Sequence, residues 1–339
     1  MNNVFVYCET GDGQIAEVSL EILSKGRSLA DNLNAGLEAI VLGDNMNSVE
    51  KELFEYGVDV VHKASDKALC PYTTLPHAAI VAGIFEKEKP RIGLFGATSV
   101  GRDLAPRVSS RLNCGLTADC TELEIGNHTD RKLKQEYKDL LLQIRPAFGG
   151  NIIATIVTPD TLPQLATVRE GVMRKTKCKT AKAGKVKNIS VEDYVSKEEL
   201  AVKIIERHVE KQRVHLKTSN VIVSGGYGVG SEEDFKKLFE LAGLLGGEVG
   251  ASRAAIDAGY VERERQIGQT GLTVRPKLYI ACGISGQIQH RAGMDKSALV
   301  ISINTDPDAP INKIADYVII GKVSEVVPKM IKYYKEHTK

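Results

Sequence analysis

Four stretches in the second half of the chain set polar groups among small residues at spacings that could hold a large polar ligand. GASRAAIDAG places Ser252 and Arg253 at an expected helix start, directly after a glycine-rich bend. IGQTG puts Gln269 and Thr270 between Gly268 and Gly271; GISGQIQH offers Ser285, Gly286, Gln289 and His290; NTDPDAP supplies Asn304 and Asp306 just past a strand. Backbone N–H groups at a helix N-terminus suit a pyrophosphate, and amides and hydroxyls suit a heterocycle with several donors and acceptors. Together the groups fit a large cofactor better than a small metabolite. Each residue alone also has a plainer reading: Arg253 as a surface arginine, His290 as a satisfied structural imidazole, Thr270 as a turn cap.

Other chemistries find less support. No Ser-His-Asp order and no HExxH occurs, and the seven histidines form no metal-spaced group. The six cysteines are scattered without a CxxC, so thiols in the core or at the surface are expected rather than a metal site. Two glycine loops, GLFGATSVGRD and VSGGYGVGSEED, follow apolar runs, but neither carries GxGxxG in place or GxxxxGK[ST]. Tight turns account for such glycines without a ligand.

The elements that must position these groups read as two α/β halves. In the first, NVFVYCE, LEAIVLG, DVVHKA and RIGLFGA read as strands, separated by amphipathic helices near residues 18–33, 49–56 and 75–86. Such β-α units imply a mostly parallel sheet with helices on its faces. After Arg111 the pattern turns to strands, TADCTELEI, DLLLQIRPAF and NIIATIVTP, of the antiparallel kind added before a domain closes. The second half restarts with NVIVSGG. Ser231 and Asp234 resemble a capping box, and Phe235, Leu238, Phe239, Ala242 and Leu245 form a helical apolar stripe. Strands at KLYIACG, ALVISIN and DYVIIG and a final helix near residues 326–335 complete it.

Between Arg169 and Lys187 lie eight Lys or Arg residues and one acidic residue, with no aromatic side chain to stack on bases. A solvated linker or an anion-attracting patch fits this run, and no nucleic-acid partner is expected. SKEELAVKIIERHVEKQ reads as a charged helix or linker, which sets the expected domains at residues 1–205 and 206–339. A net charge of +2 and 42% hydrophobic residues describe an ordinary folded protein. The opening MNNVFVYCE reads as a strand without a signal peptide, and no transmembrane run is visible, so a reducing cytoplasm is the expected location.

VIVSGGYGVG, GASRAAIDAGYVERERQIGQTG, LYIACGISGQIQHRAGM and INTDPDAPINKIADYVIIGKVSEVVPKM resemble, in order and spacing, the carboxyl-terminal domain of electron transfer flavoprotein alpha subunits. FGATSVGRDLAPRVSSRL and RPAFGGN in the first half resemble the same family. The resemblance implies one noncovalent FAD in a Rossmann-like second domain, and a first domain of nucleotide-binding-like fold without a nucleotide of its own. It implies a beta-subunit partner holding AMP or a second FAD, and an acyl-CoA dehydrogenase as donor or acceptor. In the electron-bifurcating branch it further implies NADH and ferredoxin.

Carried onto this chain, the resemblance sets Arg253 against the flavin ring, Thr270 toward its N5 and C4 carbonyl edge, and His290 toward N1 and O2. Ser252, Gly268, Gln269, Gly271, Ser285, Gly286, Gln289 and Asn304 would contact ring, ribityl chain or phosphates, with Asp306 in an open role. Tyr227 stands where many members have arginine and brings no fixed charge. Lys322 stands where many have aspartate near the adenine and cannot accept a hydrogen bond. Motion of the FAD domain would need a flexible link around residues 196–218. A nicotinamide-dependent dehydrogenase and a nucleotide-binding module without redox work are the rival readings.

Overall fold

VFVYC forms β1 (Val4–Cys8), in which every residue is buried. An apolar run without polar alternation is what a strand covered on both faces requires. In the computed structural model, which describes residues 3–11, 13–46, 49–130, 134–147, 152–178, 184–206, 216–217 and 219–337, the chain divides into two units. The first comprises Met1–Ala147 with Ile153–His208.

In chain order it contains β2 (Thr10–Gly11), β3 (Gln14–Ile15), α1 (Glu17–Asn32), β4 (Leu37–Gly43), α2 (Val49–Glu55), β5 (Val60–Ser65), α3 (Thr74–Glu88), β6 (Ile92–Gly96) and α4 (Ser99–Leu112). Then follow β7 (Leu116–Cys120), β8 (Glu122–Asp130), β9 (Gln135–Ala147), β10 (Ile152–Ile156), β11 (Gln164–Val168) and β12 (Lys185–Asn188). Seven strands make a parallel sheet in the order β12-β5-β4-β1-β6-β11-β7. Of the later strands, β7 joins this sheet, whereas β8 and β9 pair antiparallel in a second sheet with β10.

Successive side chains on a strand point to opposite faces, and β1 feeds two cores accordingly. Val4, Val6 and Cys8 enter the core that also holds Ile22 and Leu23 of α1, while Phe5 and Tyr7 enter the one that holds Phe85 of α3 and Leu104 of α4. The basic run is described only in part, since residues 179–183 lie outside the described residues. Lys175 pairs with Glu17, Lys177 with Glu55 and Lys187 with Glu88, so part of the run is tied to its own unit. Residues 196–206 hold turns and irregular chain rather than a helix; residues 207–215 and 218 of the expected link, and 148–151 of RPAFGGN, lie outside the described residues.

The loop after β6 is built around a carboxylate. Glu9, just past β1 and 9% exposed, accepts a 2.6 Å hydrogen bond from the Thr98 hydroxyl, which also caps α4 by accepting from the Gly101 N–H at 3.0 Å. A Cβ on Gly101 would lie 1.8 Å from the Gly96 carbonyl oxygen, and one on Gly96 would lie 2.9 Å from Glu9 Oε1. The glycines of GATSVG are thus accounted for by close packing of strand, helix and carboxylate.

The second unit, Phe148–Ile152 with Val209–Lys339, contains β13 (Val221–Gly225), α5 (Glu232–Leu244), β14 (Glu248–Ala251), α6 (Arg253–Asp257), β15 (Leu278–Cys282), α7 (Ile288–Arg291), β16 (Val300–Asn304), β17 (Tyr317–Ile320) and α8 (Val323–His337). Its five strands are parallel in the order β14-β13-β15-β16-β17. Ser231 caps α5, accepting from the Asp234 N–H at 3.1 Å and donating to its carboxylate at 3.0 Å, so the acid answers the hydroxyl. The α5 stripe differs from expectation: Leu241, not Phe239, is buried beside Phe235, Leu238 and Ala242, and Leu245, just past the helix, is half-buried. Phe239 is 39% exposed, and the Arg265 guanidinium lies over its ring at 4.8 Å. Among the described residues, no helix is long and apolar enough to cross a membrane.

Candidate functional site

The chain leaves β13 in two directions, through α5 to β14 on one side and later to β15 on the other. Crevices at such reversals, beyond the carboxyl ends of parallel strands, are where α/β sheets take ligands. A cleft of about 660 Å³ opens there, within the usual range for a cofactor site. Its walls come from the turns after four strands: Tyr227 and Gly228 after β13, Ser252 and Arg253 after β14, Gly283 to Ser285 after β15, and Asn304 and Asp306 at and beyond the end of β16.

The floor is a close approach of backbones. A Cβ on Gly226 would come within 2.1 Å of the Gly283 carbonyl oxygen, and the Gly226 N–H donates to the Cys282 carbonyl at 2.8 Å. Gly283 has φ +60°, so glycine suits it twice, by backbone angle and by space. Asn304 is buried and holds two turns at once: its amide donates to the Ile284 carbonyl at 2.9 Å and its oxygen accepts from the Asp306 N–H at 3.1 Å. Ser252 sits at the head of α6 with its backbone N–H bonded to the Gly225 carbonyl at 2.9 Å and no capping bond from its hydroxyl.

Arg253 is the cation of the cleft. Its side chain is 71% exposed, with Asp257 one turn on at 3.4 Å. His290 also lines the cleft but is only 7% exposed. Its Nδ1 lies 3.1 Å from the Ile267 carbonyl oxygen and its Nε2 lies 2.9 Å from the Tyr279 hydroxyl. Burial pulls its pKa down to about 4, partly offset by the Ile267 carbonyl, so the ring is neutral near pH 7.

Of the residues singled out in the sequence, the cleft brings together Ser252, Arg253, Ser285, Gln289, His290, Asn304, Asp306 and Tyr227. The IGQTG loop stands behind this wall. The Gln269 N–H donates to the Gln289 carbonyl at 2.7 Å, the Gly271 N–H bonds back to Gly268 at 3.0 Å, and the Thr270 hydroxyl accepts from the Gln266 amide at 2.8 Å. In this arrangement Thr270 is engaged within the loop, and Gly268, Gln269 and Gly271 shape the turn that seats Gln289. Gly286 is likewise buried against Ile311, where a Cβ would meet the backbone at 2.4 Å. Lys322 is exposed beside Glu325 at 3.9 Å and does not line the cleft. Tyr227 stacks on Tyr260 with ring centroids 6.1 Å apart.

Sequence reasoning missed Asp257, Gln287 and Tyr279. The i,i+4 spacing of Arg253 and Asp257 was available as a signal. Nothing in LYIAC marked the tyrosine as a partner for a histidine eleven residues on.

The donor set fits an FAD in kind. A guanidinium and the hydroxyls of Ser252 and Ser285 can meet negative oxygens, and the Gln287 and Gln289 amides can meet a heterocycle that both donates and accepts. Among the described residues no cluster could hold a metal ion.

Comparison with known proteins points the same way. A family profile described as Electron transfer flavoprotein domain matches residues 4–194, and one described as Electron transfer flavoprotein FAD-binding domain matches residues 215–295. The chain is 44% identical over 335 residues to the Electron transfer flavoprotein subunit alpha of Thermoanaerobacterium thermosaccharolyticum, covering 98% of both chains. It is 40% identical to the Acryloyl-CoA reductase electron transfer subunit beta of Anaerotignum propionicum, covering 98% of this chain and 96% of the relative. It is 39% identical to the Lactate dehydrogenase (NAD(+),ferredoxin) subunit LctC of Acetobacterium woodii, covering 97% of this chain and 76% of the relative. Two profiles that between them take in both halves, and relatives of this identity along nearly the whole length, show that the chain belongs to the electron transfer flavoprotein alpha-subunit family.

Proposed function

We propose that the cleft of the second unit holds one FAD noncovalently and that the chain carries electrons as the alpha subunit of a heterodimer with an electron transfer flavoprotein beta subunit. The observation that carries this reading is the convergence of Ser252, Arg253, Ser285, Gln289, His290 and Asn304 on one cleft, within a domain matched by an FAD-binding profile. Bound FAD would supply the redox chemistry, exchanging electrons singly or in pairs. The protein's part is to hold and tune it. Arg253 supplies positive charge at the cleft wall, Ser252 and Ser285 supply hydroxyl donors, and Asn304 fixes the turns that carry Ser285 and Asp306. The test is to purify the chain with its beta partner and record the visible spectrum before and after adding FAD. Flavin absorption, and FAD released on denaturation, are expected; a colourless complex that refuses added FAD would overturn the assignment.

The printed names of two relatives, one tied to an acryloyl-CoA reductase and one to NAD(+) and ferredoxin, support a more specific reading. In it the complex works in the cytoplasm, exchanges electrons with an acyl-CoA dehydrogenase, and couples NADH oxidation to reduction of both ferredoxin and an enoyl-CoA, with a second FAD in the beta subunit. Mixing the heterodimer with NADH and ferredoxin, with and without the dehydrogenase and its substrate, tests this. Ferredoxin reduction should depend on both additions, and reduction that ignores them refutes the coupling.

A further inference from the structure

We infer that Tyr279 and the Ile267 carbonyl together lock His290 into one tautomer, with its proton on Nδ1, so that the neutral ring has no N–H to give to the cleft and any proton it gains goes onto Nε2. Tyr279 is then a positioning residue, acting on the cleft through His290. A carbonyl oxygen cannot donate, so the 3.1 Å contact between Ile267 and Nδ1 places a hydrogen on that nitrogen. The neutral ring then offers only a lone pair at Nε2, and the Tyr279 hydroxyl at 2.9 Å must be its donor. Burial pushes the Tyr279 phenol well up, so its proton stays in place. Tyr279 is completely buried in the middle of the sheet, on β15, where the ring cannot swing away.

The other ionisable groups around the imidazole are few. Cys282 lies further along β15 and its thiol is pushed up to about 12 by burial; Arg291 follows on α7. Arg253 and Asp257 on α6, Tyr227 after β13 and Asp306 beyond β16 share the cleft walls. The facing charges, one guanidinium and two carboxylates on these walls, leave the two hydrogen bonds as the contacts that fix the ring.

The consequence for cofactor tuning rests on the FAD reading: a wall histidine without a spare N–H offers negative charge in the cleft nothing until Nε2 is protonated, and the Tyr279 hydroxyl would then turn from donor to acceptor. The tautomer itself does not depend on FAD. The test is nitrogen NMR on the native heterodimer labelled with 15N-histidine and depleted of FAD, with the His290 signals identified by their loss in His290→Asn. The wild type should show a single neutral tautomer protonated at Nδ1 and should remain neutral to about pH 5. In Tyr279→Phe the ring stays buried and its midpoint should stay below the ordinary histidine value of about 6.5, whereas the Nε2 signal should move toward that of an imidazole nitrogen with no hydrogen-bond donor. A wild-type Nε2–H tautomer, a wild-type midpoint near 6.5, or an Nε2 signal unmoved by Tyr279→Phe would each overturn the inference. If Tyr279→Phe does not fold, the wild-type tautomer and midpoint decide alone. A protein that never binds FAD would leave these signals as expected and refute only the cofactor reading.

Discussion

The two units solve one topological problem in opposite ways. Each is a parallel sheet whose chain reverses direction beside its first long strand, and each has glycines where the next turn packs against that point. Beyond β1 of the first unit stands Glu9, whose carboxylate takes the Thr98 hydroxyl at the head of α4. At the end of β13 of the second stand Gly225 and, just past it, Gly226, and there the cleft opens with Arg253 on its wall. A helix N-terminus attracts negative charge; the first unit meets that attraction with its own side chain. Glycine loops after strands therefore say where a crevice lies, and the side chain at the strand end says whether it is free.

The glycines should give the largest effects. Gly101→Ala should destabilise the first unit by about 3 kcal/mol, since its Cβ would have to displace the Gly96 backbone. Gly226→Ala should destabilise the second by a similar amount and also weaken FAD retention, because Gly283 borders the cleft. Denaturant unfolding, with released flavin as a second signal, checks both. Loss of FAD from Gly101→Ala at full stability of the second unit would contradict the division of roles drawn here.

Glu9 sharpens the contrast through pH. Burial, opposed by the Thr98 hydrogen bond and helped by Glu170, pushes its carboxyl up from 4.5 to about 7. The folded state thus holds the proton more tightly than the unfolded chain. This contribution is fully present below pH 4.5 and fades as pH rises through about 7. Glu9→Gln mimics the protonated form, so it should be the more stable protein above pH 8, by about 2 kcal/mol, and should lose this pH dependence. Parallel wild-type and variant stability curves from pH 4 to 9 would show that Glu9 is not the group responsible.

On the open side, Arg253→Ala should leave unfolding within about 0.5 kcal/mol, because its side chain is mostly exposed and its ion pair is solvated. FAD binding should nevertheless weaken about tenfold, or about 1.4 kcal/mol, through loss of a charge-assisted contact. Equilibrium dialysis against FAD measures it. Lys322→Ala should have the smallest effect, with both stability and FAD affinity unchanged within about 0.5 kcal/mol, since Lys322 is exposed and away from the cleft. A clear loss of FAD affinity there would extend the site beyond the walls described.

The strands and helices were legible because their signals are local: VFVYC and LEAIVLG are buried runs, α1 is amphipathic, and α3 is an almost continuous apolar run buried at nearly every position from Pro76 to Phe85. That Ser252, Arg253 and Asn304 would line one cleft was legible because they stand at or next to the carboxyl ends of strands. What the sequence could not settle was direction. Thr270 and His290 lie in motifs as suggestive as that of Arg253, yet Thr270 turns to Gln266, and His290 spends both ring nitrogens on Ile267 and Tyr279. Phe239 fits the α5 stripe by spacing, yet it is partly exposed, with Arg265 from another segment over its ring.

The order of residues by itself therefore determined the two α/β halves and the family, since periodicity, caps and glycine turns act over a few positions and survive being read along a line. Only the tertiary structure decided that Glu9 fills one crevice while Gly226 leaves the other open, and that His290 answers to Tyr279. Those outcomes depend on hydrogen bonds between groups that meet only when separate strands and helices pack side by side, and such meetings leave no periodic trace in the chain.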